Sequence, residues 1–169
     1  MQINNEKEQE EKGNKISSDN IKANRAYEGT IQIFYSWTEM EYLIKILSRK
    51  INYSAKEYDC ILAITNGGII PARLLARDLN IELIQFIPVR HKAIIKSEMP
   101  HLITSKKYLV VDDIFDSGNT YRKVLRATDR FTCDFAFCIC RYKTNYDITV
   151  SKILNHHKWV VFPWEKRNL

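Results

Sequence analysis

No stretch of the 169-residue sequence approaches the roughly 18 to 20 consecutive apolar residues that a membrane-spanning helix needs. Met1–Lys15 is too polar to hold the apolar segment of a secretory signal, so the expected location is the cytoplasm, with no membrane partner. Cys60, Cys133, Cys138 and Cys140 lie in or beside apolar runs and lack paired C-x-x-C spacing. That pattern speaks for buried free thiols rather than a zinc site or a disulfide framework. His156 and His157 have no acid or cysteine at ligand spacing and read as surface histidines. A phosphate-binding G-x-x-x-x-G-K-[ST] loop is missing, and Gly67-Gly68 lack the spacing of a dinucleotide fingerprint. No internal repeat is visible.

What is there is enough for one folded domain. Hydrophobic residues make up 45% of the chain, and Lys plus Arg total 26 against 20 for Asp plus Glu, a net charge of +6. The excess is not at the start. In residues 1–26, Glu6, Glu8, Glu10, Glu11 and Asp19 are matched by Lys7, Lys12, Lys15, Lys22 and Arg25. That stretch has few large apolar side chains and no periodicity, so it is expected to be a disordered polar arm preceding a domain at 27–169. Between positions 90 and 107, Arg90, Lys92, Lys96, Lys106 and Lys107 face one acid, Glu98, and this segment should attract phosphates. Nucleic acid is the weaker reading, because Asp112, Asp113 and Asp116 would repel a backbone.

The spacing of apolar residues predicts the elements. Ser36-Trp37-Thr38-Glu39 is a capping box opening an amphipathic helix with Leu43, Ile44, Leu47 and Ile51 on one face. Cys60–Thr65 reads as a buried strand ended by Asn66-Gly67-Gly68, and Pro71, Leu74, Leu75 and Leu79 continue as a helix. Ile81–Ile87 reads as a second strand, the basic segment as a long loop, and Tyr108–Val111 as a third strand. A loop over 112–120, a helix near 121–128 and a strand at Phe135–Cys140 follow. Strands alternating with helices, each strand apolar throughout, predict an α/β fold with a largely parallel sheet flanked by helices.

Chemistry concentrates after the third strand. Asp112 and Asp113 leave its C-terminal end, the edge where open α/β sheets bind ligands, and Asp116-Ser117-Gly118-Asn119-Thr120 opens the next helix. Free N–H groups and hydroxyls at a helix N-terminus form a phosphate cradle. Carboxylates beside a phosphate must contact something else, namely sugar hydroxyls or a divalent cation. A phosphorylated sugar with magnesium satisfies both halves.

The segment Tyr108–Thr120 resembles the phosphoribosyl pyrophosphate (PRPP) signature of the type I phosphoribosyltransferases, and the likeness extends over roughly residues 33 to 165. Gly67-Gly68 with Pro71-Ala72-Arg73 is similar to the pyrophosphate loop of the purine members, and Trp159–Glu165 to their base-binding segment. The resemblance implies transfer of 5-phosphoribose from PRPP to a 6-oxopurine (hypoxanthine, guanine or xanthine), with Mg2+ as cofactor. It also implies a hood-like C-terminal base-binding segment and a dimer or higher homo-oligomer. Residue by residue, it implies that Asp112 and Asp113 hold the ribose hydroxyls, with Asp113 also touching the metal. Ser117, Gly118, Asn119 and Thr120 would grip the 5-phosphate, and Thr65, Asn66, Gly67 and Gly68 would form the pyrophosphate loop. Asp116 is implied as the base that takes the proton of a purine ring nitrogen. Lys143 would reach the oxygen on carbon 6, with Arg141 a competitor for that role, while Trp159 and the main chain of Val160 would meet the base. The Arg90–Lys107 segment resembles in position the family's mobile lid.

One position departs from the pattern. The family's pyrophosphate loop usually carries Arg or Lys before its two glycines, and here Asn66 stands there. A catalytically weak PRPP- or nucleotide-binding sensor is therefore an alternative, as is a transferase with a non-purine acceptor.

Overall fold

Apolar runs become strands where the helices between them cover both faces. The computed structural model describes residues 31–165; the arm expected at 1–26 lies outside them. The chain separates into two compact units. In the smaller, β1 (Gln32–Phe34) pairs in parallel with β9 (Trp159–Val161). The larger unit spans 35–157 and resumes at 162.

The larger unit runs α1 (Trp37–Tyr53), β2 (Cys60–Ile64), α2 (Ile69–Leu79), β3 (Ile84–Ile87), a hairpin β4 (Val89–Arg90) with β5 (Ala93–Ile94), β6 (Lys107–Phe115), α3 (Asn119–Ala127), β7 (Thr132–Cys140) and β8 (Thr149–Ile153). β3-β2-β6-β7-β8 form one sheet in which every neighbouring pair is parallel. The expected α/β class is thus observed, and all C-terminal strand ends share one edge. The helix expected after Ser36 starts as its capping box requires: Ser36 Oγ accepts from Glu39 N, and Ser36 N donates to the Glu39 carboxylate at 2.8 Å.

The core has two layers. Leu62, Ile64, Tyr108, Val110, Phe135 and Phe137 pack with Tyr121 and Val124 of α3 on one face. Their alternates Ile61, Ala63, Leu109 and Val111 are equally buried, as a strand covered on both faces demands. The four cysteines are free, three of them buried and Cys133 partly so. Among the described residues no helix is long and apolar enough to cross a membrane.

Three expectations need correction. The strand expected at Tyr108–Val111 continues through Phe115, because Asp112, Ile114 and Phe115 go on pairing with Phe137, Ile139 and Cys140 of β7. Both carboxylates therefore sit inside β6 rather than on a loop, Asp112 in register with Phe137. The Arg90–Lys107 segment is not a plain loop: it holds most of the β4–β5 hairpin, turned by His91 and Lys92 at positive φ, and a 3-10 turn at Lys96–Glu98. Arg90 and Glu98 close it with a two-pronged ion pair at 2.8 and 2.9 Å. The strand expected from Ile81 begins only at Ile84.

Candidate active site

Two loops leave neighbouring strands at the C-terminal edge. The first, Thr65–Gly68 after β2, contains a cis Thr65–Asn66 peptide. Its Thr65 hydroxyl accepts from Val89 N at 2.9 Å, which anchors the loop to the start of the hairpin. Its glycines are there for closeness. A Cβ on Gly68 would lie 2.2 Å from the Val111 carbonyl oxygen, and one on Gly67 would lie 2.5 Å from Asp113 Oδ2. With no side chains in the way, the loop packs directly against the carboxylate that β6 delivers.

Asp112 and Asp113 are each 9% exposed, and Asp113 N donates to Asp112 Oδ1 at 3.0 Å. Burial pushes Asp112 well above the usual carboxylate range, and the Asp113 charge adds to it. Burial pushes Asp113 up to about 7, with the Glu165 charge as the second cause. Among the described residues neither acid has an ion-pair partner. Glu165 is a residue that sequence reasoning passed over, although it closes the aromatic segment singled out there. Its carboxylate accepts from Phe162 N at 2.7 Å, and Trp164 before it stacks on Phe162 at 5.0 Å.

The second loop, Asp116–Gly118, follows β6 and ends at α3. Gly118 at φ 74° turns the chain into the helix, in a region that favours glycine. The loop rests on rings: Phe115 lies 5.6 Å from Tyr121, 5.9 Å from Tyr142 and 5.7 Å from Tyr146. A cavity of about 530 Å³ brings together Asp112, Asp113, Asp116, Ser117, Gly118, Asn119 and Thr120, with Lys92 from the hairpin and Lys123 from α3 at its wall. The Lys123 ammonium donates to the Lys92 carbonyl, so the hairpin tip is fastened to α3. Lys92 belongs to the segment that the sequence marks as attracting phosphates, whereas Lys123 was not singled out.

Where β7 ends, Arg141 Nε donates to Asp116 Oδ1 at 2.7 Å, with the Arg141 side chain only 12% exposed. Lys143, two residues on, is exposed. Of the two cations expected near the base, Arg141 is the one fastened to Asp116. Trp159 and Val160 lie in β9 of the smaller unit, Val160 buried and Trp159 partly so.

The donor set fits a hard cation. Asp112 and Asp113 offer carboxylate oxygen only, and both are raised by burial without a compensating charge. Among the described residues no group of three or more His, Cys, Asp or Glu could cage a metal. Magnesium commonly binds through one or two carboxylates plus substrate phosphates and water, which is what such a site can provide.

With this geometry in place, comparison with known proteins is specific. The model of the family described as phosphoribosyl transferase domain matches residues 31–165. The xanthine-guanine phosphoribosyltransferase of Idiomarina loihiensis is 25% identical over 142 residues, 79% of this chain and 87% of that protein. Among solved structures, the purine phosphoribosyltransferase of Pyrococcus horikoshii Ot3 aligns with a TM-score of 0.65 at 24% identity, over 82% of this chain and 97% of that one. The Helicobacter pylori xanthine-guanine-hypoxanthine phosphoribosyltransferase aligns with a TM-score of 0.69 at 20% identity, over 79% and 93%. The chain belongs to the phosphoribosyl transferase domain family: it is a phosphoribosyltransferase with the type I fold.

Proposed function

We propose that this phosphoribosyltransferase moves the 5-phosphoribosyl group of PRPP onto a 6-oxopurine, forming a purine nucleotide and releasing pyrophosphate. One observation carries the reading: a single cavity holds Asp112, Asp113, Asp116 and the whole Ser117–Thr120 loop. Asp112 and Asp113 face the ribose hydroxyls, and the N–H groups at the start of α3 with the Ser117 and Thr120 hydroxyls take the 5-phosphate. The Thr65–Gly68 loop receives the pyrophosphate and is already in contact with Asp113. Asp113, with Asp112 beside it, would hold Mg2+ together with substrate oxygens, and the ion would supply positive charge towards the leaving pyrophosphate.

In the reaction the bond from the anomeric carbon to the pyrophosphate oxygen breaks, and its electron pair leaves with pyrophosphate. The bond to the purine nitrogen forms, and the proton displaced from the base passes to the Asp116 carboxylate. That carboxylate also faces the positive charge developing on the sugar. Arg141 beside it supports a 6-oxopurine as the acceptor. On a 6-oxopurine the ring nitrogen of the five-membered ring and the oxygen on carbon 6 lie on one edge. A carboxylate paired with a guanidinium presents an acceptor and a donor side by side to that edge. Adenine would place its amino group against the guanidinium donors. Lys143, exposed two residues after Arg141, is a second cation for the same oxygen. The β4–β5 hairpin, with Lys92 at its tip, serves as the lid that excludes water.

The test supplies protein with magnesium, PRPP and, separately, hypoxanthine, guanine, xanthine, adenine and uracil, and follows nucleotide and pyrophosphate. A 6-oxopurine nucleotide is expected, with kcat reduced about 10²- to 10⁴-fold in Asp116→Asn. Product from uracil alone, or none from any base, would overturn the reading.

A further inference from the structure

The phosphate loop is held from behind by a residue outside the cavity lining. Arg122, on the first turn of α3, donates from Nη2 to Asn119 Oδ1 at 2.6 Å and to the Ser117 carbonyl at 3.4 Å. From Nη1 it donates to the Tyr146 hydroxyl at 3.2 Å. A Cβ on Gly118 would lie 3.2 Å from that same Nη1, so the guanidinium lies close behind the loop's turn. Tyr146 is itself fixed, its ring 5.7 Å from Phe115 and 5.0 Å from Tyr121. It belongs to the connection after β7 that begins with Arg141, and Arg141 is paired with Asp116. The Asp116–Asn119 segment is therefore fastened to the 141–146 connection at two points, one at each end.

We infer that Arg122, with Tyr146 as its anchor, is a positioning residue that holds the Ser117–Thr120 loop in its phosphate-receiving shape and ties it to the connection facing the base. The planar guanidinium is the right group for the task, because three acceptors lie in different directions around it and an ammonium on a flexible stem cannot meet them together. A loop so held pays less ordering entropy when the phosphate arrives. The inference rests on the functional reading above for what fills the loop.

The experiment compares Arg122→Ala, Arg122→Lys and Tyr146→Phe with the parent chain for binding of ribose 5-phosphate and, separately, of magnesium pyrophosphate, together with KM and kcat. Arg122→Ala should weaken ribose 5-phosphate binding and raise the KM for PRPP about ten-fold. Pyrophosphate binding at the Thr65–Gly68 loop should stay within about two-fold. Arg122→Lys should not restore the parent value, and Tyr146→Phe, which keeps the ring and removes one acceptor, should raise KM about three-fold. A fall in melting temperature with unchanged ribose 5-phosphate binding in Arg122→Ala and Tyr146→Phe would mean a merely structural role and overturn the inference. If the parent chain itself binds neither ribose 5-phosphate nor PRPP, the functional reading fails and this inference with it.

Discussion

The two loops that meet at the sheet edge are built in opposite ways. The Thr65–Gly68 loop is shaped by side chains it does not have: Gly67 and Gly68 let backbone press against Asp113 and the Val111 carbonyl. The Asp116–Gly118 loop is shaped by side chains behind it, namely Arg122, Phe115, Tyr121 and Tyr146. A loop made by closeness tolerates no added atom, whereas a loop made by supports weakens in steps as each support is removed. The two also differ in charge. Lys92 and Lys123 stand at the wall of the cavity that contains the second loop, while Asn66 gives the first loop no cation.

The largest expected effect breaks the first loop. In Gly68→Ala the new methyl would meet the Val111 carbonyl at 2.2 Å and the Ile64 backbone at 2.8 and 2.9 Å, and none of these atoms is the end of a flexible side chain. A loss of about 3 kcal/mol of stability is expected, with activity gone, measured by denaturant unfolding and the transferase assay. Gly118→Ala is the contrast in the second loop. Its φ of 74° should cost about 1–2 kcal/mol, and the methyl would meet the end of the Phe115 side chain at 2.9 Å rather than backbone. Equal losses in the two variants would erase the distinction drawn between the loops.

Where the first loop packs against Asp113 of β6, the expected effect is smaller and depends on pH. Asp113 is raised from 3.8 to about 7 in the folded chain. Between those values the folded state holds a proton that the unfolded state has lost, so stability falls as pH rises through this window and levels off above it. Asp113→Asn removes that penalty. At pH 8 the ligand-free variant should be more stable than the parent and melt several degrees higher, with the advantage vanishing towards pH 4. Its transferase activity should fall at the same time. A variant that melts lower than the parent at pH 8 would show that Asp113 is not an uncompensated buried charge.

The sequence shows the fold and one of the loops for the same reason: both are written in contiguous residues. Four apolar runs announced four of the five sheet strands, and Asp112–Thr120 announced the loop that opens α3. β8 was not foreseen because Thr149–Ile153 is polar and half-buried at the sheet's edge. The hairpin was not foreseen because His91 and Lys92 turn it in a region where glycine or asparagine is the usual signal. Tyr146 acts through a contact distant in sequence, and the Glu165 charge acts on Asp113 across the fold, which no spacing encodes. Arg122 had a signal that was not used, since it lies three residues after Asn119 on a helix and such pairs face one another.

The smallest effect sharpens the contrast in charge. Asn66 is exposed on the first loop, and a cation there would face the leaving pyrophosphate. At about 4 Å a unit pair is worth on the order of 4 kcal/mol at an effective dielectric of 20, and exposure reduces that to about 1 kcal/mol per charge pair. Asn66→Arg should therefore bind PRPP and magnesium pyrophosphate about ten-fold more tightly, with ribose 5-phosphate unchanged because the proposed function assigns that ligand to the second loop alone. If turnover with a 6-oxopurine rises along with affinity, the neutral loop attenuates an enzyme that is otherwise complete. If affinity for pyrophosphate does not move, the leaving group's charge is met elsewhere, and Lys92 at the hairpin tip is the next cation to remove.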